Sequence, residues 1–280
     1  MEHRSIPGTD LNPSVICFGG NTLSMVGGRD RAFRQLDLYA QAGGDFIDTA
    51  NIYGKWLAGE TNLSEQYIGE WLSRRGMRSR IVLVTKGGHP HMATLHIPRL
   101  GRQELLLDLE ESLQALRTDH IDLYFLHRDD EQRPVEEILE SLEEMRRQGK
   151  IRWYGCSNWR YRRIREAFDI AKARGYTGFC ANQTRWSLAS PNLSALADPS
   201  MVPMETETLQ LHREEGWAAM LYSSQAGGYF SKLQSMGKAQ MTDRHLSVYD
   251  NPTNDRRFAW AMERAGQLDC TVGEIVLGYL

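Results

Sequence analysis

A chain of 280 residues is long enough for one large domain or two ordinary ones, and its 41% hydrophobic and 25% charged residues are the balance of an ordinary globular protein. A net charge of −3 offers no basic excess for a nucleic-acid or membrane partner, and no apolar run approaches the length needed to cross a bilayer. The four cysteines, Cys17, Cys156, Cys180 and Cys270, lack CxxC spacing, which argues against a zinc site or a disulfide framework and points to a reducing cytoplasm.

Along the chain, "MEHRSIPGTD" comes first and lacks the apolar core of a signal peptide. Short apolar runs then predict strands over 14–20, 45–50, 80–86, 121–127, 151–158, 178–183 and 217–224. Amphipathic stretches separate them. In "LLLDLEESLQALRT", Leu109, Leu113 and Leu116 form a stripe; in "PVEEILESLEEMRRQGK", Val135, Ile138, Leu139, Leu142 and Met145 share one helical face. Pro134 suits the first turn of that helix and Gly149 a C-terminal cap. Near the end, "TVGE" (271–274) is a capping box that opens a last helical segment.

Strands apolar on both faces and alternating with helices predict the α/β class, specifically a (β/α)₈ TIM barrel formed as a single domain over residues 1–280. An open Rossmann sheet suits seven such repeats less well. Seven repeats leave the eighth strand and helix missing. Because a barrel short of one strand would expose two edges, the natural chain is expected to continue past Leu280.

In such a barrel the loops at the C-terminal strand ends build the site. The first predicted strand ends at Gly20 and Asn21, and the second at Asp48 with Tyr53 in its loop. Lys86 ends the third and His127 the fourth. Ser157 and Asn158 end the fifth, Gln183 the sixth, Tyr222 and Ser223 the seventh. Taken singly, a strand-terminal Asp often caps a helix, and a loop Tyr or a lone His usually packs. A barrel brings these ends into one bowl. There an ammonium (Lys86) beside a phenol (Tyr53) is expected to lower the phenol's pKa, and a carboxylate (Asp48) keeps the ammonium charged and in place. The His127 imidazole can orient a carbonyl oxygen. Together the four make a proton-donating site for a carbonyl acquiring negative charge.

The segments "DTANIYG", "VTKGG", "DLYFLHRDD", "GCSN", "ANQTRWS" and "YSSQAGG", in this order, resemble the aldo-keto reductase superfamily over nearly the whole chain. The "YSSQAGG" form is similar to the bacterial and potassium-channel β-subunit branch. The resemblance implies reduction of an aldehyde or ketone by hydride from NADPH, with Asp48, Tyr53, Lys86 and His127 as the catalytic tetrad and Tyr53 as proton donor. It also implies that Ser157, Asn158 and Gln183 bind the nicotinamide carboxamide and that Trp186 stacks on its ring. Tyr222, Ser223, Gln225, Gly227 and Gly228 would cradle the pyrophosphate, with Gly20, Asn21 and Asp48 completing the cofactor contacts. The segment that usually holds the adenosine 2′-phosphate is absent, so NADH is not excluded. No metal is implied. The long loop "KWLAGETNLSEQYIG" makes Trp56 a candidate pocket wall beside His127, and "GGHPHMATLHIPRLGRQ" is a second candidate for shaping the pocket. These loops suit a polyhydroxylated or ring-shaped carbonyl such as a sugar derivative. The expected partner is that small molecule, in the cytoplasm, with a homo-oligomer left open. The competing expectation is an NADPH-binding regulatory or sensor subunit that acts through protein partners.

Overall fold

The computed structural model describes every residue of 1–280 except Val26, Ala58, Glu60, Ala197 and Pro199. Ala58 and Glu60, in the long loop after Tyr53, therefore lie outside the described residues. Backbone contacts divide the chain into two compact units, residues 1–182 with 210–218, and residues 183–209 with 219–280.

In the first unit, strands β1 (Phe18–Gly19), β2 (Phe46–Asp48), β3 (Val82–Gly87), β4 (Ile121–Leu126) and β5 (Ile151–Ser157) pair in parallel, each with the next in sequence. Helices α1 (Arg29–Gln41), α2 (Leu63–Arg75), α3 (Arg102–Leu116) and α4 (Val135–Arg147) connect them, and α5 (Tyr161–Arg174) follows β5. β6 (Ala181–Arg185), α6 (Thr206–Glu215) and β7 (Ala218–Tyr222) continue the alternation, and the hydrogen-bonded order runs from β1 to β7 without a crossover. This is the βα succession of a (β/α)₈ barrel through its seventh strand. After β7 the described elements are helices, with no eighth strand among the described residues.

The core follows from the sequence stripes. Every residue of β4 is buried, as expected for a parallel strand covered on both faces. The α4 face of Val135, Ile138, Leu139, Leu142 and Met145 is fully buried, as are Leu105, Leu109 and Leu116 of α3. Truncating one such leucine to alanine costs about 2–5 kcal/mol. Gly69 lets α2 approach α3, because a Cβ there would lie 2.2 Å from the Ala115 carbonyl oxygen.

The first strand is shorter than its sequence suggests. The Tyr39 hydroxyl lies 2.7 Å from the Ile16 carbonyl oxygen and 2.8 Å from that of Phe46, and accepts from the Phe46 N–H at 3.1 Å. A side chain thus fills the place of strand pairing, and Val15 and Ile16 stay exposed.

The second unit holds α7 (Tyr229–Met236), α8 (Asp243–Tyr249), α9 (Pro252–Leu268) and α10 (Val272–Gly278). Tyr229, Phe230, Val248, Tyr249, Ala261, Val272 and Val276 belong to its core. The capping box expected at 271–274 is present: the Thr271 hydroxyl accepts from the Glu274 N–H, and the Glu274 carboxylate accepts from the Thr271 N–H. Pro134 is the N-cap of α4 rather than a first-turn residue, and Gly149 takes the left-handed conformation (φ 74°) just past that helix.

Candidate active site

Strand register places the first charges. Asp48 pairs with Val84, and Lys86 lies two residues further along β3, on the same face as Val84. The Lys86 ammonium donates to both Asp48 oxygens at 2.8 and 2.7 Å and to the Thr49 carbonyl at 2.7 Å, and it reaches the Tyr53 hydroxyl at 3.4 Å. Lys86 is only 1% exposed and Asp48 8%. Burial by itself would push the Lys86 ammonium down, but Asp48 and Tyr53 more than offset it and hold its pKa above the ordinary value. A charge buried this deeply persists because its partner is buried with it.

Tyr53 follows the end of β2 in a run of turns, with its N–H bonded to the Ala50 carbonyl and its carbonyl accepting from the Ser64 N–H at the start of α2. Lys86 Nζ lies 4.9 Å from the ring centroid. The Trp56 and His127 rings stand edge-on to Tyr53, at 5.9 and 5.8 Å between centroids. One expectation is corrected here. The Lys86 ammonium does pull the phenol pKa down, yet burial outweighs it and the net shift is upward. Tyr53 is therefore a protonated donor at neutral pH.

His127 follows β4, its N–H bonded to the Gly87 carbonyl at 2.8 Å. Burial, then His89, Arg128 and Lys86, push its pKa well below the ordinary imidazole value, so the ring is neutral. Its Nδ1 is buried without a hydrogen-bond partner. The His89 ring packs edge-on against it at 4.8 Å. Such a neutral ring with an uncommitted nitrogen is suited to a polar ligand atom.

Other expected site residues are placed as follows. Gly20 is buried in a short 3₁₀ turn, where a Cβ would lie 2.8 Å from Ser64 Oγ and 3.0 Å from the Asp48 carbonyl oxygen; Asn21 beside it is exposed. Ser157 and Asn158 are buried, and the Asn158 amide donates to the His127 carbonyl at 3.1 Å and to Ser157 Oγ at 3.0 Å. Trp56 is partly exposed. In the second unit Gln183 is buried, and the Trp186 ring lies parallel to Tyr279 with centroids 6.2 Å apart. In the loop after β7, Ser223, Ala226, Gly227 and Gly228 all adopt positive φ. Gln225 O accepts from Gly228 N and Tyr229 N. The Ala226 N–H likewise bonds the Ser223 carbonyl at 2.8 Å, so the loop is a closed turn ahead of α7. In the first unit, the hydroxyl of Ser157 and the amide of Asn158 offer the donor and acceptor types that a carboxamide takes. Among the described residues no group of three or more metal-ligating side chains occurs.

Sequence patterning gives no hint of Asp108, Glu65 or the role of Asn51. Glu65 is fully buried, accepts from Thr85 Oγ1 at 2.5 Å and Asn62 Nδ2 at 2.7 Å, and has its pKa raised by burial to about 7. A carboxylate inside a helical stripe is the one available signal, and it carries no information about partners.

Residues 15–280 match the model of the aldo/keto reductase family. A norsolorinic acid reductase of Emericella nidulans is 32% identical over 83% of the chain. An aryl-alcohol dehydrogenase of Pestalotiopsis microspora is 31% identical over 81% of it. The chain spans 59% and 58% of the lengths of these two relatives. Among solved structures, a thermostable aldo-keto reductase bound to the inhibitor epalrestat matches with a TM-score of 0.71 at 22% identity, covering 100% of this chain and 85% of its own. That last likeness speaks to the fold.

Proposed function

Because this chain belongs to the aldo/keto reductase family, we propose that it reduces an aldehyde or ketone to the alcohol by hydride transfer from NADPH, with Tyr53 as the proton donor. The observation that carries the proposal is the buried cluster in which Lys86 bridges Asp48 and a protonated Tyr53.

Bound NADPH would supply the hydride to the carbonyl carbon. By the family resemblance, Ser157 and Asn158 would hold its carboxamide in the first unit, with Gly20 and Asn21 as further contacts; Gln183, Trp186, Tyr222, Ser223, Gln225, Gly227 and Gly228 are the cofactor residues that the resemblance implies in the second. As negative charge develops on the carbonyl oxygen, the Tyr53 O–H gives up its proton to it. The phenolate left behind sits against the Lys86 ammonium, which Asp48 fixes from the far side. His127, neutral, donates a ring N–H to the same oxygen and orients it. Exclusion of water around these groups strengthens each interaction. Trp56, Tyr53, His127 and His89 follow one another edge-on. That wall, together with the named activity of the aryl-alcohol relative, favours an aromatic carbonyl substrate over a sugar-derived one.

The test is nicotinamide absorbance followed with aryl aldehydes, aryl ketones and sugar-derived carbonyls, using NADPH and NADH in turn. Tyr53→Phe should lower kcat by about 10²- to 10⁴-fold while leaving cofactor affinity unchanged. A wild type that binds cofactor yet never turns over sinks the enzyme assignment. Full activity in Tyr53→Phe sinks only the donor.

A further inference from the structure

Asp108 lies in the second turn of α3 and is 2% exposed. Its carboxylate accepts the Gly88 N–H at 2.8 Å and takes Arg99 on both oxygens, at 2.8 and 3.2 Å. Arg99 also donates to the His89 carbonyl at 3.1 Å. From one carboxylate, then, the turn that follows Lys86 is held on both sides of its histidine. Gly88 itself has φ 74°, a conformation that favours glycine, and a Cβ on it would lie 2.3 Å from Leu100 Cδ2.

The main chain of the same residue reaches the other catalytic segment. The Asp108 carbonyl accepts from Asn51 Nδ2 at 3.2 Å, two residues before Tyr53. Asn51 Nδ2 also meets Glu111 Oε2 at 3.1 Å and Ser112 Oγ at 3.4 Å. Asn51 Oδ1 accepts from Lys55 Nζ at 2.7 Å, and Lys55 bonds Glu111 at 2.8 Å. The segment on either side of Tyr53 is thereby fastened to the same two turns of α3.

Packing does not account for a charge here. Leu105, Leu109 and Leu116 already bury α3 completely on its core side. A buried ion pair is often no more stabilising than apolar residues of the same volume, so its presence calls for a geometric purpose. We propose that this stretch of α3 is a positioning element for the reaction: the Asp108 carboxylate holds the Gly88–His89 turn and so sets how His89 backs His127, while the Asp108 carbonyl, Glu111 and Ser112 hold the Tyr53 segment through Asn51 and so set how Tyr53 meets Lys86. The proposal rests on the carbonyl-reductase assignment of this site.

The experiment compares Asp108→Asn and Asn51→Ala with Leu142→Ala, a buried core variant on α4. Asp108→Asn should lower kcat by about ten- to a hundredfold, the scale on which small misplacements act, while leaving cofactor affinity within about twofold. The alkaline limb of kcat, which follows Tyr53, should move by about half a pH unit or more in Asn51→Ala, since a phenol that shifts against its ammonium changes its ionisation. Asn51→Ala leaves the Arg99–Asp108 pair intact and releases only the Tyr53 arm, so it carries the test of the α3 fastening if Asp108→Asn does not fold. If both variants lose only thermal stability, as Leu142→Ala should, with kcat and the limb unmoved, the proposal is overturned. Should the wild type show no turnover, the enzyme assignment fails first. The Tyr53 phenol can then be titrated by ultraviolet difference against Tyr53→Phe. A titration that Asn51→Ala leaves in place overturns the positioning role, and a displaced one supports it.

Discussion

The end of β3 in the first unit and the loop after β7 in the second are built by different means. At the former, side chains hold side chains: Lys86 on Asp48, Arg99 on Asp108, Thr85 on Glu65, all buried except Arg99, which is partly so. At the latter, the main chain sets the shape, through four residues of positive φ in six positions and a turn closed on Gln225. The first kind of construction tolerates no change of charge, because a lost partner leaves an ion in a dry interior. The second tolerates changes of side chain but not of backbone freedom.

Substitutions can break that contrast in decreasing order of effect. Lys86→Met strands Asp48, and should cost about 3–5 kcal/mol in urea denaturation as well as abolishing turnover. A loss below about 1 kcal/mol would mean that the pair is not dry. Glu65 comes next. Burial raises its pKa from 4.5 to about 7, so the stability it contributes is fully present below pH about 4.5 and is lost as pH rises through about 7. His127 and His212, whose pKa values burial lowers, act in the opposite sense, favouring the fold above their unfolded pKa. The useful quantity is therefore the difference between wild type and Glu65→Gln. Between about pH 5 and 8 the wild type should lose about 3 kcal/mol relative to the variant. Parallel curves would show that Glu65 does not titrate there. The smallest effect belongs to the main-chain loop. Gly227→Ala forces a Cβ into φ 66° and to 3.2 Å from His245 Nε2, costing about 1–2 kcal/mol. Its readout is a roughly tenfold weaker NADPH affinity with kcat at saturation retained; unchanged affinity would remove this loop from the cofactor contacts.

Periodic features were the legible ones. The apolar run of β4, the α4 stripe and the Thr271 capping box could be read because each repeats a local rule within a few residues. Helix α9 could not be read from periodicity, since the residues it buries are Asn254, Ala261 and Ala265, too small to form a stripe. In the structure Asn251 caps it and Pro252 opens it. The ends of β2, β3 and β4 announced Asp48, Lys86 and His127 once a barrel was assumed. Asp108 and Glu65 stayed silent, because a carboxylate in a helix reads as a solvated face until the strands beneath it are placed. The ionisation of Tyr53 was misjudged for a related reason: the neighbouring ammonium is visible in the sequence, whereas the desolvation that outweighs it is a property of the folded interior.

Fastening of the Tyr53 segment to α3 ends at Lys55, and Trp56, partly exposed, is the next residue along the chain. On the proposed function, the boundary between reaction machinery and substrate recognition would fall between these two consecutive residues. On that reading residues 51–55 would be inherited as a block, and a combinatorial library past this point would keep the Trp56 ring, which stands edge-on to Tyr53.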